Sequence, residues 1–205
     1  ASEVAVENVN VLKEATGYRT AVMDLSQFGS YPSWGLSTGE DAVKSTFGWA
    51  WQGATTSSNI VMLNTAFEYE AYDYLFDRCV EMGNDTVLIK KDIIGKREHT
   101  EEDVCSGAEK SGFYLKAETD TALIFKKDTP EQFGVKSEYA GLALGRYANV
   151  MTLYYPAFRE GDSDYIDEYT LEELKQYRTV FLSGIYYHEK EKAETLLKEA
   201  AAAGV

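Results

Sequence analysis

The chain has 205 residues, 44% of them hydrophobic, and its 34 Asp and Glu outnumber its 20 Lys and Arg to give a formal charge of -14. That length supplies one large domain or two small ones with a real core, while the acidity argues against nucleic acid and anionic lipid, both of which are bound through Lys and Arg. No apolar run approaches the roughly 20 residues that span a bilayer. Aromatic side chains make up 13% of the chain, with 15 Tyr, 9 Phe and 3 Trp. Tyr and Trp present flat apolar faces with a polar handle, the chemistry of protein interfaces and carbohydrate sites.

Val9–Thr16 leads through Gly17 into the strand Arg19–Leu25. Ligands of open α/β sheets bind beyond the carboxyl ends of parallel strands, so Asp24 is a site candidate by position; an Asp that caps a loop is the plainer alternative. Residues 26–58 are irregular, apart from a short helix suggested by the capping pattern Ser37-Thr-Gly-Glu40. A connection this long inside a compact α/β domain is usually a binding loop or an interface. It holds all three tryptophans, Trp34, Trp49 and Trp51. They form either a satellite core or a platform for a sugar ring or partner surface, with Gln52 and Asn59 supplying hydrogen bonds.

Leu63, Phe67, Ala71, Leu75 and Cys79 mark one long helix at i+4 spacing, and Gly83-Asn84-Asp85 turns the chain into a strand at Thr86–Ile89. Lys90–Thr100 reads as an exposed loop, and Thr100-Glu-Glu-Asp103 opens a helix. Phe113–Glu118 and Thr121–Phe125 read as a hairpin at a sheet edge, with Lys126, Lys127 and Asp128 discouraging edge pairing. Gly134–Gly145 is a looser stretch. Its Gly141-Leu-Ala-Leu-Gly145 lacks the downstream Lys-Ser/Thr of a phosphate loop. Val150–Tyr154 reads as a strand.

Asp162, Asp164 and Asp167 fail the calcium-loop pattern, because Ile166 and Asp167 stand where a ligand and a Gly are needed, and they read as a solvated acidic loop. Thr170-Leu-Glu-Glu173 is a capping box. The last unit is the clearest: the apolar run Thr179–Leu182 is broken by Ser183-Gly184, and a helix with Ala193, Leu196, Leu197 and Ala200 on one face ends at Gly204. Only Val205 remains for a following strand and the first residue is not Met, so the chain is expected to be a fragment of a longer protein.

The signals for an enzyme are sparse. No Gly-x-Ser-x-Gly or Gly-x-Cys-x-Gly turn is present, and Ser183 with His188 five residues on is the nearest approach to a nucleophile and base. Two histidines, His99 and His188, are too few for a His-rich zinc site, and no carboxylate spacing singles out a glycosidase pair. No metal or cofactor is implied, and catalytic residues are left unassigned. Cys79 and Cys105 form either one disulfide or two semi-buried thiols.

Phe47-Gly-Trp-Ala-Trp-Gln-Gly-Ala54, Tyr74-Leu-Phe-Asp-Arg78, Gly83-Asn-Asp-Thr-Val87 and Phe181-Leu-Ser-Gly184 together resemble the soluble extracytoplasmic part of bacterial multi-pass membrane proteins labelled 6-pyruvoyl-tetrahydropterin synthase-related, a family similar to membrane glycosyltransferases. The zinc-binding histidine triad of a pterin synthase is missing. Tyr177–Val205 is similar to the strand and helix of glutamine amidotransferase-like domains, without their catalytic Cys motif. The resemblance implies a domain displayed on the cell envelope by a membrane-embedded parent.

The expected fold is a three-layer α/β domain over 1–205, divisible at 1–145 and 146–205. It has a mostly parallel sheet with helices on both faces and an antiparallel edge hairpin at 113–125, and its strands at Ala21, Val87, Val150 and Val180 share one sheet. The expected role is a non-catalytic module that binds a saccharide or protein partner through Trp34, Trp49, Trp51, Gln52 and Asp24. The alternative is a glycan-acting hydrolase or transferase with carboxylates at the carboxyl ends of its strands.

Overall fold

A computed structural model describes residues 3–23, 35–46, 57–95, 98–128, 141–155 and 157–205. The chain divides into two compact units, one formed by the residues up to 131 except 81–83, the other by the remainder.

In the first unit, α1 (Glu3–Ala15) leads into β1 (Arg19–Met23), followed by β2 (Lys44–Thr46), α2 (Ser57–Glu68), α3 (Tyr72–Glu81), β3 (Thr86–Lys90), the short α4 (Lys91–Ile94), α5 (Glu101–Lys110), β4 (Tyr114–Glu118) and β5 (Ala122–Lys126). The sheet order is β2-β1-β3-β5-β4. β1 pairs in parallel with β2 and β3, and Ala21 sits opposite Val87 as expected. β5 runs antiparallel to both β3 and β4, so the sheet is mixed rather than mostly parallel. The hairpin of β4 and β5 does close one edge of the sheet.

Strands buried on both faces read as unbroken apolar runs, and β1 is buried at all five positions. On one face Val9 and Leu12 of α1 pack against Val22, Leu88, Ala122 and Ile124. On the other, Phe76 of α3 meets Phe113 and Phe125 with ring centroids 5.3 and 5.2 Å apart. Asn8 fastens α1 to the hairpin turn, donating to Thr121 Oγ1 at 3.1 Å and accepting from Thr119 Oγ1 at 2.8 Å.

One carboxylate joins three of the strands. Asp85, fully buried, accepts hydrogen bonds from the backbone N–H groups of Gly17, Tyr18 and Arg19 at 2.7, 2.9 and 2.9 Å, and from Lys126 Nζ at 2.5 Å. Lys126 therefore serves as an internal counter-ion rather than an edge charge. Of the two edge strands, β4 carries Lys116 and an irregular register between Leu115 and Ala117, both of which discourage pairing.

The single helix expected across 63–82 is two helices. Positions four apart advance about 40° beyond a full turn at each step, so a stripe from Leu63 to Cys79 drifts too far round one straight helix to stay on one face. The chain resets at Glu70, which has φ 57; Glu70 N–H donates to Phe67 O and Ala71 N–H to Ala66 O, both at 2.9 Å. This is a helix-ending Schellman turn with Glu where Gly is usual. The Glu70 carboxylate accepts from Glu98 N–H at 3.2 Å and lies 3.1 Å from His99 Nε2. The expected loop after β3 contains α4, whose Ile93 and Ile94 are buried. Cys79 and Cys105 are both free, and burial pushes the Cys79 thiol far above its ordinary pKa.

The second unit holds β6 (Gly141–Leu144), α6 (Ala148–Tyr154), β7 (Phe158–Glu160), a 3₁₀ turn (Ile166–Glu168), α7 (Leu171–Leu174), β8 (Val180–Leu182) and α8 (Lys190–Ala202). Its sheet, in the order β7-β6-β8, is entirely parallel. The strand expected at Val150 is helix α6, with Ala148 and Thr152 buried four residues apart and Val150 exposed. A short apolar run does not reveal its period, and the central strand lies just upstream, in the stretch read as loose. Val180 belongs to this second sheet, so the four marked positions do not share one. Leu142, Leu144, Ile166, Leu174, Ala193, Leu196 and Ala200 form its core, and Val205 packs against them.

Replacing Asp85 with Ala removes the acceptor of three backbone amides and leaves the Lys126 ammonium largely buried without its partner. We expect a loss of about 3 to 5 kcal/mol in denaturant unfolding of the first unit; a loss below about 1 kcal/mol would show that the four hydrogen bonds are dispensable.

Candidate functional site

The three parallel strands of the second unit all run into glycine turns. β6 ends at Gly145 (φ 96), β7 at Gly161, and β8 continues through Ser183 to Gly184 (φ 67). A side chain on Gly145 would collide with Ser183 O, and one on Gly184 would come within 2.8 Å of the Tyr147 ring. Backbone contacts knit the turns together, with Arg146 N–H donating to Gly184 O at 3.2 Å and Gly161 N–H to Ala143 O at 2.9 Å. This is the end of a parallel sheet where α/β folds place ligands.

Beyond these turns, residues 164–168 grip residues 186–189. Tyr186 N–H donates to Asp164 O at 2.9 Å and Ile166 N–H to Tyr186 O at 3.0 Å, forming a parallel bridge between Tyr165 and Tyr186. Alternate side chains of an extended segment share a face, so Tyr186 and His188 both reach Tyr165. The His188 ring stacks on Tyr165 at 4.1 Å and 1° between planes, and the Tyr186 ring lies 5.5 Å from Tyr165. Tyr186, Tyr147 and Tyr187 remain 43%, 51% and 53% exposed.

Asp167, expected in a solvated loop, is 2% exposed because its carboxylate turns in to bind the backbone leading into α8. It accepts from His188 N–H with both oxygens at 3.0 Å and from Glu189 N–H at 2.8 Å. Burial acts to raise the Asp167 pKa, but these backbone hydrogen bonds outweigh it and hold the carboxyl below its ordinary value. Asp162 and Asp164 are exposed, as expected. Glu168 accepts from Ser163 Oγ at 2.5 Å and lies 2.8 Å from His188 Nε2; the Ser163 hydroxyl, then His188, lowers its pKa.

The order of these groups limits their chemistry. A serine nucleophile needs the imidazole between the hydroxyl and the carboxylate. Here Glu168 stands between Ser163 and His188, so these three groups are not in the order that would make Ser163 a nucleophile. Among the described residues, no group of three or more His, Cys, Asp or Glu is gathered as a metal ion would require. What the geometry does provide is a row of fixed rings edged by hydrogen-bonding groups.

Trp34, Trp49, Trp51, Gln52 and Asp24, the residues marked in the sequence, lie outside the described residues. Sequence reasoning missed Tyr165, Tyr186 and Glu168. The available signal was Tyr186 and His188 two apart immediately after a strand-ending glycine.

A family model described as a domain of unknown function (DUF8559) matches residues 4–138, and a second, described as a domain of unknown function (DUF8560), matches residues 140–205. No curated protein and no solved structure matches the chain. No helix among the described residues is long and apolar enough to cross a membrane.

Both carboxyls have folded-state pKa values below the ordinary 3.9 to 4.3. Their stabilisation is therefore complete above those ordinary values and is lost as pH falls through the lower, folded ones. Amide hydrogen exchange at His188 and Glu189 should accelerate relative to the core of the second unit as pH drops from about 5 to 2. In Asp167→Asn that pH dependence should be largely gone; an unchanged profile would assign it elsewhere.

Proposed function

The chain belongs to the DUF8559 family, and we propose that it is a non-catalytic binding module that takes a saccharide through aromatic side chains. The observation that carries this reading is the Tyr186, Tyr165 and His188 row at the carboxyl ends of three parallel strands. Sugar rings stack their C–H faces on aromatic rings, while their hydroxyls need acceptors and donors at the rim, here Glu168 and Ser163. Rings held by a backbone bridge, a carboxylate and stacking lose little freedom on binding, which favours affinity. The stretch bearing Trp34, Trp49 and Trp51, with Gln52 and Asp24, is proposed as an aromatic site of its own in the first unit. The resemblance to extracytoplasmic parts of bacterial membrane proteins supports display on the cell envelope by a membrane-embedded parent.

A second reading, a hydrolase or transferase acting on glycans, is favoured by Glu168 and His188 lying 2.8 Å apart at the strand ends. Turnover of a bound glycan, abolished in Glu168→Gln, would select it over simple binding.

Binding to a panel of neutral oligosaccharides should weaken at least tenfold in Tyr186→Ala, with a nearly unchanged melting temperature because that ring is already 43% exposed. Unaltered affinity would remove the row from the site. All three tryptophans fall between residues 34 and 51, so a shift in tryptophan emission on titration reports on that loop separately.

A further inference from the structure

Resting on the saccharide reading of this surface, we infer that the site selects glycans without acidic groups, the carboxylates around the stacked rings being the discriminating element. Asp164 adjoins Tyr165 in sequence and its carbonyl holds Tyr186, Glu168 meets His188, and Asp162 and Glu189 flank the same two segments; all four side chains are exposed. Residues 162–173 contain six carboxylates and no Lys or Arg.

Three cations of this unit have partners of their own. Lys175 pairs with Glu172 at 2.9 Å, Lys190 lies 3.5 Å from Glu194, and the Arg146 guanidinium lies 5.8 Å from the Tyr147 ring centroid. A neutral sugar meets this rim as a set of hydrogen-bond acceptors for its hydroxyls. A uronate or phosphate-bearing sugar brings like charge to the same carboxylate rim, which is discrimination by repulsion. The rings supply the contact and the rim supplies the exclusion, so the two roles separate by experiment.

The test uses the full chain and tetramers in matched pairs: glucose with glucuronate, mannose with mannuronate, and galactose with galacturonate, titrated calorimetrically in low salt. At least one neutral tetramer should bind, with its uronate partner at least tenfold weaker. Salt at about 0.5 M should narrow that gap, because the repulsion acts through solvent over about one Debye length. The double variant Asp162→Asn with Asp164→Asn should raise uronate affinity severalfold. Equal binding of the two members of a pair by the unaltered chain would overturn the discrimination and leave the saccharide reading standing. Failure of every pair to bind would overturn both.

Discussion

Asp85 fixes the first unit. Its carboxylate has four donors, three of them consecutive amides of the turn entering β1 and the fourth the ammonium at the end of β5. Its own backbone also contributes, the N–H donating to Arg19 O and the carbonyl accepting from Lys127, each at 2.9 Å. A buried carboxylate is tolerable only when such donors surround it, so the position of β1 against β3 and the approach of β5 are set together. The mixed sheet follows from this geometry. Lys126 reaches Asp85 only where β5 runs back toward the start of β3, which requires the antiparallel direction.

The second unit relies on close backbone approach. Glycines at the ends of β6 and β8 let adjacent turns touch, and the touching turns place Tyr147 over Gly184. The 164–168 and 186–189 segments then lock by main-chain bonds, with the Asp167 carboxylate holding the amides of His188 and Glu189 just before α8. Side chains that project from this frame are held at both ends, by the backbone that bears them and by the rings or carboxylates they meet. The rigidity of the aromatic row is therefore a property of the fold beneath it.

Much of this was legible in the residues. Thr100 and Asp103, and Thr170 and Glu173, form the reciprocal caps that their spacing announces. The last helix buries Ala193, Leu196 and Ala200, three of the four positions that its period marks. Where the reading failed, local pattern was insufficient. Val150–Tyr154 is apolar enough for either period, and Gly141–Leu144 carries two small residues that make a fully buried strand look like a turn. The single parallel sheet failed because hydrophobic period carries no information about which strands pair. The candidate site was hidden for a related reason: Tyr165 and His188 are 23 positions apart and acquire meaning only through the bridge that aligns them.

Glu70 shows how narrow a corner position becomes when backbone and side chain make opposing demands. The left-handed turn favours glycine by about 1 kcal/mol, whereas the contacts to Glu98 and His99 require a carboxylate on a side chain of that length. Glycine satisfies the first demand and abandons the second. Asn accepts the backbone but is one methylene too short, and Gln has the reach without the charge. β-Branched residues meet neither demand. The alphabet tolerated at this corner is accordingly small, and neutral drift there would tend to come with a compensating change at residue 98 or 99.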